Sequence, residues 1–375
     1  MDDQKEWPEP IVRVQSLSES GAAVIPSRYV KPPSERPCLE PPSSSDDGEG
    51  LGIPVIDLGR MAGGGVDCPA KIREISDACR DWGFFQVVNH GVSPDLMRRM
   101  REVWREFFHL PMEEKQRYAN SPQTYEGYGS RLGIQKGAIL DWGDYFFLHL
   151  LPPSLKDPNK WPKLPSSCRE TVEEYGRELS NLCRAVLGAL STSLDLDAGY
   201  LQRAFGGDDV GVCMRVNYYP RCPQPDLTLG LSSHSDPGGL TVLLADDHVK
   251  GLQVRRAGAW VTLQPLPDAF IVNVGDQVQV LSNAAYKSVE HRVAVNAAAE
   301  RMSVAFFYNP KSDLPIGPSP ELLSPERPPR YQPMTFDQYR LYIRQKGPRG
   351  KSQVDSLLKS SPPCHYSTTV NSDGS

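Results

Sequence analysis

Leu231-Ser232-Ser233-His234-Ser235-Asp236 closes one short run, and Val289-Glu290-His291-Arg292-Val293 alternates through another. The reading of these two stretches decides the fold. Side chains two apart on a strand point to one face. His234 and Asp236 therefore reach a common ion, and His291 supplies a third donor flanked by Val289 and Val293. Two histidines and one carboxylate on one side of a non-haem iron leave three positions open, room for a two-point chelator and oxygen. Taken alone, a His-x-Asp is ordinarily a loop pair and a strand histidine an ordinary core residue. The surroundings decide otherwise.

Downstream, Arg301-Met302-Ser303 places a guanidinium and a hydroxyl on one strand face. An Arg offers a planar fork for a carboxylate, so a diacid held there by its far end reaches the metal with its near end. Upstream, Asn217 and Tyr219 share a face at the end of another run. The period-two pattern holds from residue 211 onward. It predicts strands over 211–219, 228–234, 239–245, 252–256, 259–264, 269–273, 277–281, 286–295 and 301–308. Ala257-Gly258 reads as a hairpin turn. Short strands separated by Gly, Pro, Asn and Asp predict a sandwich or barrel.

The same alternation puts Arg215 and Phe307 on the face of Asn217 and Ser303. Thr335-Phe336-Asp337-Gln338 has the spacing of a capping box and opens a helix to about Lys346. Phe336, Arg340 and Arg344 form one stripe of that helix. The competing readings are a structural ion pair for Arg215, plain core for Phe307 and solvated charges for Arg340 and Arg344. A buried Arg without a counterion is costly, which favours an anionic ligand where they line a pocket. Tyr125 and Tyr128, in a glycine-bearing loop, are candidates for shaping its entrance.

The first half of the chain reads differently. Residues 53–58 predict a short strand, 69–81 a helix, 84–90 a second strand and 167–194 a long helix. Ser93-Pro94 reads as an N-cap with Pro at the first helical position, opening a helix to Phe108. Pro41 to Gly48 reads as a flexible linker. Trp7, Ile11, Val12, Val14 and Leu17 read as an arm packing on the body, and the Ser-rich tail after Lys351 as disordered.

Hydrophobic residues make up 39% and charged residues 23% of 375, enough for a sizeable core. The net charge of −5 and the lack of a basic stripe argue against nucleic acid. No run of 18 apolar residues suggests a membrane span, and the N-terminus lacks a signal-peptide pattern. Eight scattered cysteines without a C-x-x-C pair suggest reduced thiols in a cytoplasmic protein, with the nucleus also open. Gly127 to Gly133 and Gly63 to Gly65 miss the spacing of nucleotide loops.

These motifs resemble those of the plant 2-oxoglutarate- and Fe(II)-dependent dioxygenases over about residues 50–350. Asp81-Trp82-Gly83-Phe84-Phe85-Gln86-Val87-Val88-Asn89-His90-Gly91 resembles the N-terminal signature of that family. The resemblance implies a mainly β fold with flanking α-helices, a double-stranded β-helix (jelly-roll, cupin-like) core. It implies Fe(II) on His234, Asp236 and His291, and 2-oxoglutarate on Arg301 and Ser303 with Tyr219 and Asn217 in support. O2 is the further cosubstrate and ascorbate the reductant. It divides the chain into an arm and linker (1–52), a helical region (53–205), the catalytic core (206–312), a C-terminal helix region over the pocket (313–350) and a tail (351–375).

Three further stretches, over 6–17, 124–131 and 306–313, resemble the jasmonate-induced oxygenases. That resemblance implies hydroxylation of jasmonic acid at carbon 12, with succinate and CO2 released, by a monomer or weak dimer acting on a small carboxylate. It favours Arg215, Phe307 and Arg340 over Arg344 as substrate contacts. The alternatives are a flavonoid oxidase of the anthocyanidin synthase type and a non-catalytic small-molecule sensor.

Overall fold

The computed structural model describes residues 7–37, 52–59 and 68–359. Its strands are β1 (Val55–Asp57), β2 (Phe84–Val88), β3 (Gly127–Gly129), β4 (Asp144–Leu151), β5 (Gly211–Tyr219), β6 (Leu231–His234) and β7 (Leu240–Leu244). They continue with β8 (Leu252–Arg256), β9 (Ala259–Thr262), β10 (Phe270–Val274), β11 (His291–Val293), β12 (Arg301–Asn309), β13 (Pro315–Ile316) and β14 (Met334–Thr335). The helices are α1 (Val14–Glu19), α2 (Pro69–Asp81), α3 (Pro94–Phe108), α4 (Met112–Gln116), α5 (Cys168–Thr192), α6 (Tyr200–Ala204), α7 (Asp276–Leu281), α8 (Phe336–Lys346) and α9 (Ser352–Asp355).

Eight strands form one sheet in the order β1-β2-β10-β7-β12-β5-β4-β3, and four form another, β6-β11-β8-β9. Alternation along the large sheet separates two cores. From β12, Met302, Val304, Phe306 and Tyr308 join the cluster that contains Met100, Trp104 and Phe107 of α3 and Val172, Tyr175 and Leu179 of α5. Ala305 and Phe307 point the other way, with Leu243 and Ile271, toward Leu231, Leu252, Val254 and Val293 of the small sheet. Each fully buried Val, Leu, Ile, Phe or Met among them contributes about 1.5–3 kcal/mol. The inner layer between the sheets is the jelly-roll core, and Arg301 and Ser303 lie on its face.

Most expected elements form. Ser93 caps α3 by accepting from the Asp95 amide, with Pro94 at the first position. Thr335 and Gln338 form the reciprocal box at the start of α8, each at 3.3 Å. Ala257 and Gly258 turn the β8–β9 hairpin with φ of +46° and +85°. The strand expected over 84–90 stops at Val88, because Asn89 takes a left-handed φ of +52°.

Three expectations are corrected. Residues 277–281 form α7, not a strand. Gln277 to Leu281 are buried on every side, so their alternating sequence carries no face information. The tail does not start at Lys351: α9 follows, Val354 and Leu357 join the main core, and Leu358 bridges to Tyr331. Residues 360–375 and the linker Pro41 to Gly48 lie outside the described residues. In the arm, Val14 is buried, Leu17 packs beside it and Trp7 stands edge-on to Tyr125, but Val12 faces solvent.

The sequence reading missed β3 and β4. The glycines of 127–129 serve packing: a Cβ on Gly127 would meet the Tyr118 carbonyl oxygen at 2.2 Å. Asp144 at the start of β4 is buried and accepts from the Val14 and Gln15 amides, fastening the first turn of α1 to the sheet.

Candidate active site

His234 ends β6, and His291 opens β11 directly opposite it in the antiparallel register. Asp236 follows two residues after His234. The donor atoms of the three lie within 4.8 Å of one another, with each histidine Nε2 3.6 Å from Asp236 Oδ1. Backbone carbonyls orient both rings. His234 Nδ1 donates to Ser232 O at 2.8 Å, and His291 Nδ1 to Val289 O at 3.1 Å. A proton fixed on Nδ1 leaves the Nε2 lone pair aimed at the centre. Burial pushes His291 down to about 4, with His234 adding to the shift, so its ring is neutral at pH 7.

Asp236 is oriented as tightly. Its Oδ2 accepts from Thr241 Oγ1 at 2.6 Å and Asn273 Nδ2 at 2.8 Å, which leaves Oδ1 for an ion. Burial alone would raise its carboxyl, but the two facing imidazoles and these hydrogen bonds hold it well below the usual carboxylate range. Thr241 and Asn273 are cross-strand partners on β7 and β10. Neither residue stands out in the sequence. Their only signal is inward alternation on strands whose order the sequence does not reveal.

β12 pairs β5 residue by residue: Arg301 opposite Tyr219, Ser303 opposite Asn217, Ala305 opposite Arg215 and Phe307 opposite Cys213. Arg301 is 3% exposed and has no acidic partner within ion-pair distance among the described residues. Burial lowers its pKa, opposed by Tyr219 and Asp246. Its Nε is unpartnered, as is Asn217 Oδ1. A buried guanidinium beside the Ser303 hydroxyl, whose oxygen accepts from Arg301 at 3.4 Å and whose proton is left to donate, fits a bound carboxylate. The donor set of two imidazoles and one carboxylate fits Fe(II), with open positions for a chelating cosubstrate.

His234, Asp236, His291, Arg301, Ser303, Tyr219, Asn217, Arg215 and Phe307 all line one cavity of about 70 Å³ between the sheets. Through Arg215 and Tyr219 it meets an outer cavity of about 820 Å³, a ligand-sized space. Arg215 stacks on the Tyr145 ring at 4.2 Å, and its buried Nε has no partner. Arg340 and Arg344 do not line the metal cavity. They line a separate opening of about 610 Å³ with His149 and Glu126. There His149 is pushed down to about 4 by burial and by both guanidinium groups. Arg340 also pairs with Asp337 at 2.5 Å.

Tyr125 is buried, and its hydroxyl donates to the Arg344 carbonyl at 3.2 Å. Tyr128 is a correction: it is wholly buried in the main core under the Arg13 guanidinium and lines neither opening. Its burial follows from β3 pairing with β4, the strands that the sequence reading missed.

The sequence profile of the 2OG-Fe(II) oxygenase superfamily matches residues 211–310. That of the non-haem dioxygenase in morphine synthesis N-terminal region matches 53–164. Jasmonate-induced oxygenase 1 of Arabidopsis thaliana is 60% identical over 354 residues, 94% of this chain and 88% of that protein. The chain belongs to the 2OG-Fe(II) oxygenase family. As an oxygenase it also matches the crystal structure of JOX2 in complex with 2OG, Fe and JA, with a TM-score of 0.88 and 58% identity over 95% of this chain and all of that one. Flavanone 3-dioxygenase 2 of Oryza sativa subsp. japonica is a further relative. That protein is 41% identical over 87% of this chain and 92% of its own length. No described helix is long and apolar enough to cross a membrane.

Proposed function

We propose that this oxygenase hydroxylates jasmonic acid, at carbon 12, with 2-oxoglutarate as cosubstrate. The observation that carries the reading is a pair of arginines on adjacent strands, Arg301 and Arg215, that line one cavity, neither with an acidic partner within ion-pair distance among the described residues. One cation suits the cosubstrate and the second a substrate acid. The 60% identity to a jasmonate-induced oxygenase and the likeness to a structure holding 2OG, Fe and JA favour a jasmonate over a flavonoid.

His234, Asp236 and His291 would hold Fe(II) through Nε2, Oδ1 and Nε2. Arg301 and Ser303 would hold the far carboxylate of 2-oxoglutarate, and Asn217 and Tyr219 flank it. Bound iron and cosubstrate supply the oxidation: one atom of O2 enters succinate as CO2 leaves, and the other becomes the substrate hydroxyl. The remaining work is positioning and exclusion of water. Phe307, Leu243, Ala305 and Phe84 give the cavity its apolar wall. Arg215 would hold the substrate acid; Arg340 lines the neighbouring opening and would approach from α8, its guanidinium acting on Cys213, the residue opposite Phe307. The described cysteines are unlinked and all but Cys68 buried, which fits a reducing cytoplasm; we propose that the enzyme works there as a monomer or weak dimer.

The test is incubation of the purified chain with Fe(II), 2-oxoglutarate, ascorbate and jasmonic acid. Mass spectrometry should show a product one oxygen heavier, with equimolar succinate. Succinate coupled to a flavonoid and not to jasmonic acid would replace the substrate and keep the chemistry.

A further inference from the structure

α8 carries Arg340 and Arg344, yet it is far in sequence from every metal-site residue. The structure fastens it directly to the turn that bears Asp236. Tyr339, the residue before Arg340, is 2% exposed, and its hydroxyl donates to Asp276 Oδ2 at 2.6 Å. The same oxygen accepts from Ser235 Oγ at 3.2 Å, and the Asp276 amide donates to the Asp236 carbonyl at 2.8 Å. A second tie follows α8. The Gly350 amide donates to Ser233 O at 2.8 Å, and the Ser235 amide donates to Gly350 O at 3.2 Å, so the two bonds bracket His234. Gln353 of α9 closes the arrangement by donating to the Tyr339 carbonyl.

We propose that Tyr339 and Asp276 are positioning residues that set where α8 sits against the turn bearing Asp236, and with it the span between Arg340 and the metal ligands. This rests on the jasmonate reading for its substrate but not for the fastening itself. A fixed span selects which carbon of a tethered acid meets the metal centre. Asp276 suits the role because it is wholly buried and touches both the helix and the ligand turn. A misplacement of a few tenths of an ångström changes a reaction geometry without emptying either site. Neither side chain lines the metal cavity, so neither is a catalytic residue.

The experiment compares wild type, Tyr339→Phe and Asp276→Asn. Tyr339→Phe keeps the buried ring and deletes the bond, and Asp276→Asn keeps an acceptor oxygen for Tyr339. Hydrogen–deuterium exchange over 336–346 should rise in Tyr339→Phe and stay nearer wild type in Asp276→Asn. Fe(II) and 2-oxoglutarate titrations should stay within about twofold. The KM for jasmonic acid should rise about 2- to 10-fold, the range of one lost hydrogen bond, with more succinate per product and a second hydroxylation position. Unchanged exchange in Tyr339→Phe overturns the fastening. Raised exchange with unchanged KM, coupling and product overturns the link to the span. A fall in Fe(II) affinity to match the KM shows that Tyr339 acts through the metal ligands, and also overturns it. A wild type inert on jasmonic acid contradicts the substrate reading and the span with it, while exchange still judges the fastening.

Discussion

The metal end and the acid end of this barrel are built by different means. At the metal end strand register sets the side chains, with Asp236 in the turn after β6 held by Thr241 and Asn273. His234 faces His291, Arg301 faces Tyr219, and Ser303 faces Asn217. At the acid end Arg215 comes from a strand, but Arg340 and Arg344 arrive on a helix docked by hydrogen bonds distant in sequence. Register is a rigid ruler, since a one-residue slip turns every side chain to the opposite face. A docked helix is held by the few bonds that dock it. The metal end therefore follows from the sheet itself, and the acid end depends on the contacts that dock α8.

Substitutions test that contrast. The largest effect is expected at the metal: His234→Ala removes one of three ligands and should abolish Fe(II) binding and succinate formation together, by metal titration and product assay. Retained turnover would place the metal elsewhere. Arg301→Ala loses a charge-assisted contact of about 1.5–3 kcal/mol, raising the 2-oxoglutarate KM roughly 10- to 150-fold. The KM for the acid should move far less.

Asn273→Leu sharpens the contrast at the register-built end. It removes one of two bonds that free Asp236 Oδ1, and Fe(II) affinity should fall about 10- to 100-fold with the fold intact. At the other end, Arg215→Ala should raise the acid KM about tenfold and leave Fe(II) and 2-oxoglutarate titrations unchanged. Equal effects on both ligands would erase the division.

The smallest effect is a pH dependence of stability. Burial raises Glu126, beside the acid-end opening, to about 7 from an ordinary value near 4.5. The folded chain then binds the proton more tightly than the unfolded chain, so this residue makes stability fall as pH rises from about 4.5 to 7. Glu126→Gln should flatten the thermal melting profile across that window and stabilise the protein above it. An unchanged profile would show that Glu126 is ionised when folded.

The same contrast explains what the sequence disclosed. The cosubstrate residues were legible because Asn217 and Tyr219, and Arg301 and Ser303, sit two apart on strands, where alternation assigns a face; His234 and Asp236 have the same spacing across the end of β6. The eight-residue strand β4 was not, although its neighbour β5 was read to its ends. Asp144-Tyr145-Phe146-Phe147-Leu148 is apolar on both sides, so it has no period to read. Tyr128 followed from that omission. The 277–281 segment failed for the opposite reason: it alternates, but burial on all sides lets the chain close a helix there. Thr241 and Asn273 needed the order of the strands, and Tyr339 with Asp276 needed the docking of a helix, neither of which is local.

The most direct test of the account is succinate release under saturating Fe(II) and 2-oxoglutarate, with jasmonic acid compared against its methyl ester. The two differ in the charge that Arg215 would hold. The account predicts coupled turnover of the acid and at least a tenfold lower kcat/KM for the ester, with that gap closing in Arg215→Ala. Equal turnover of acid and ester by the wild type would contradict it.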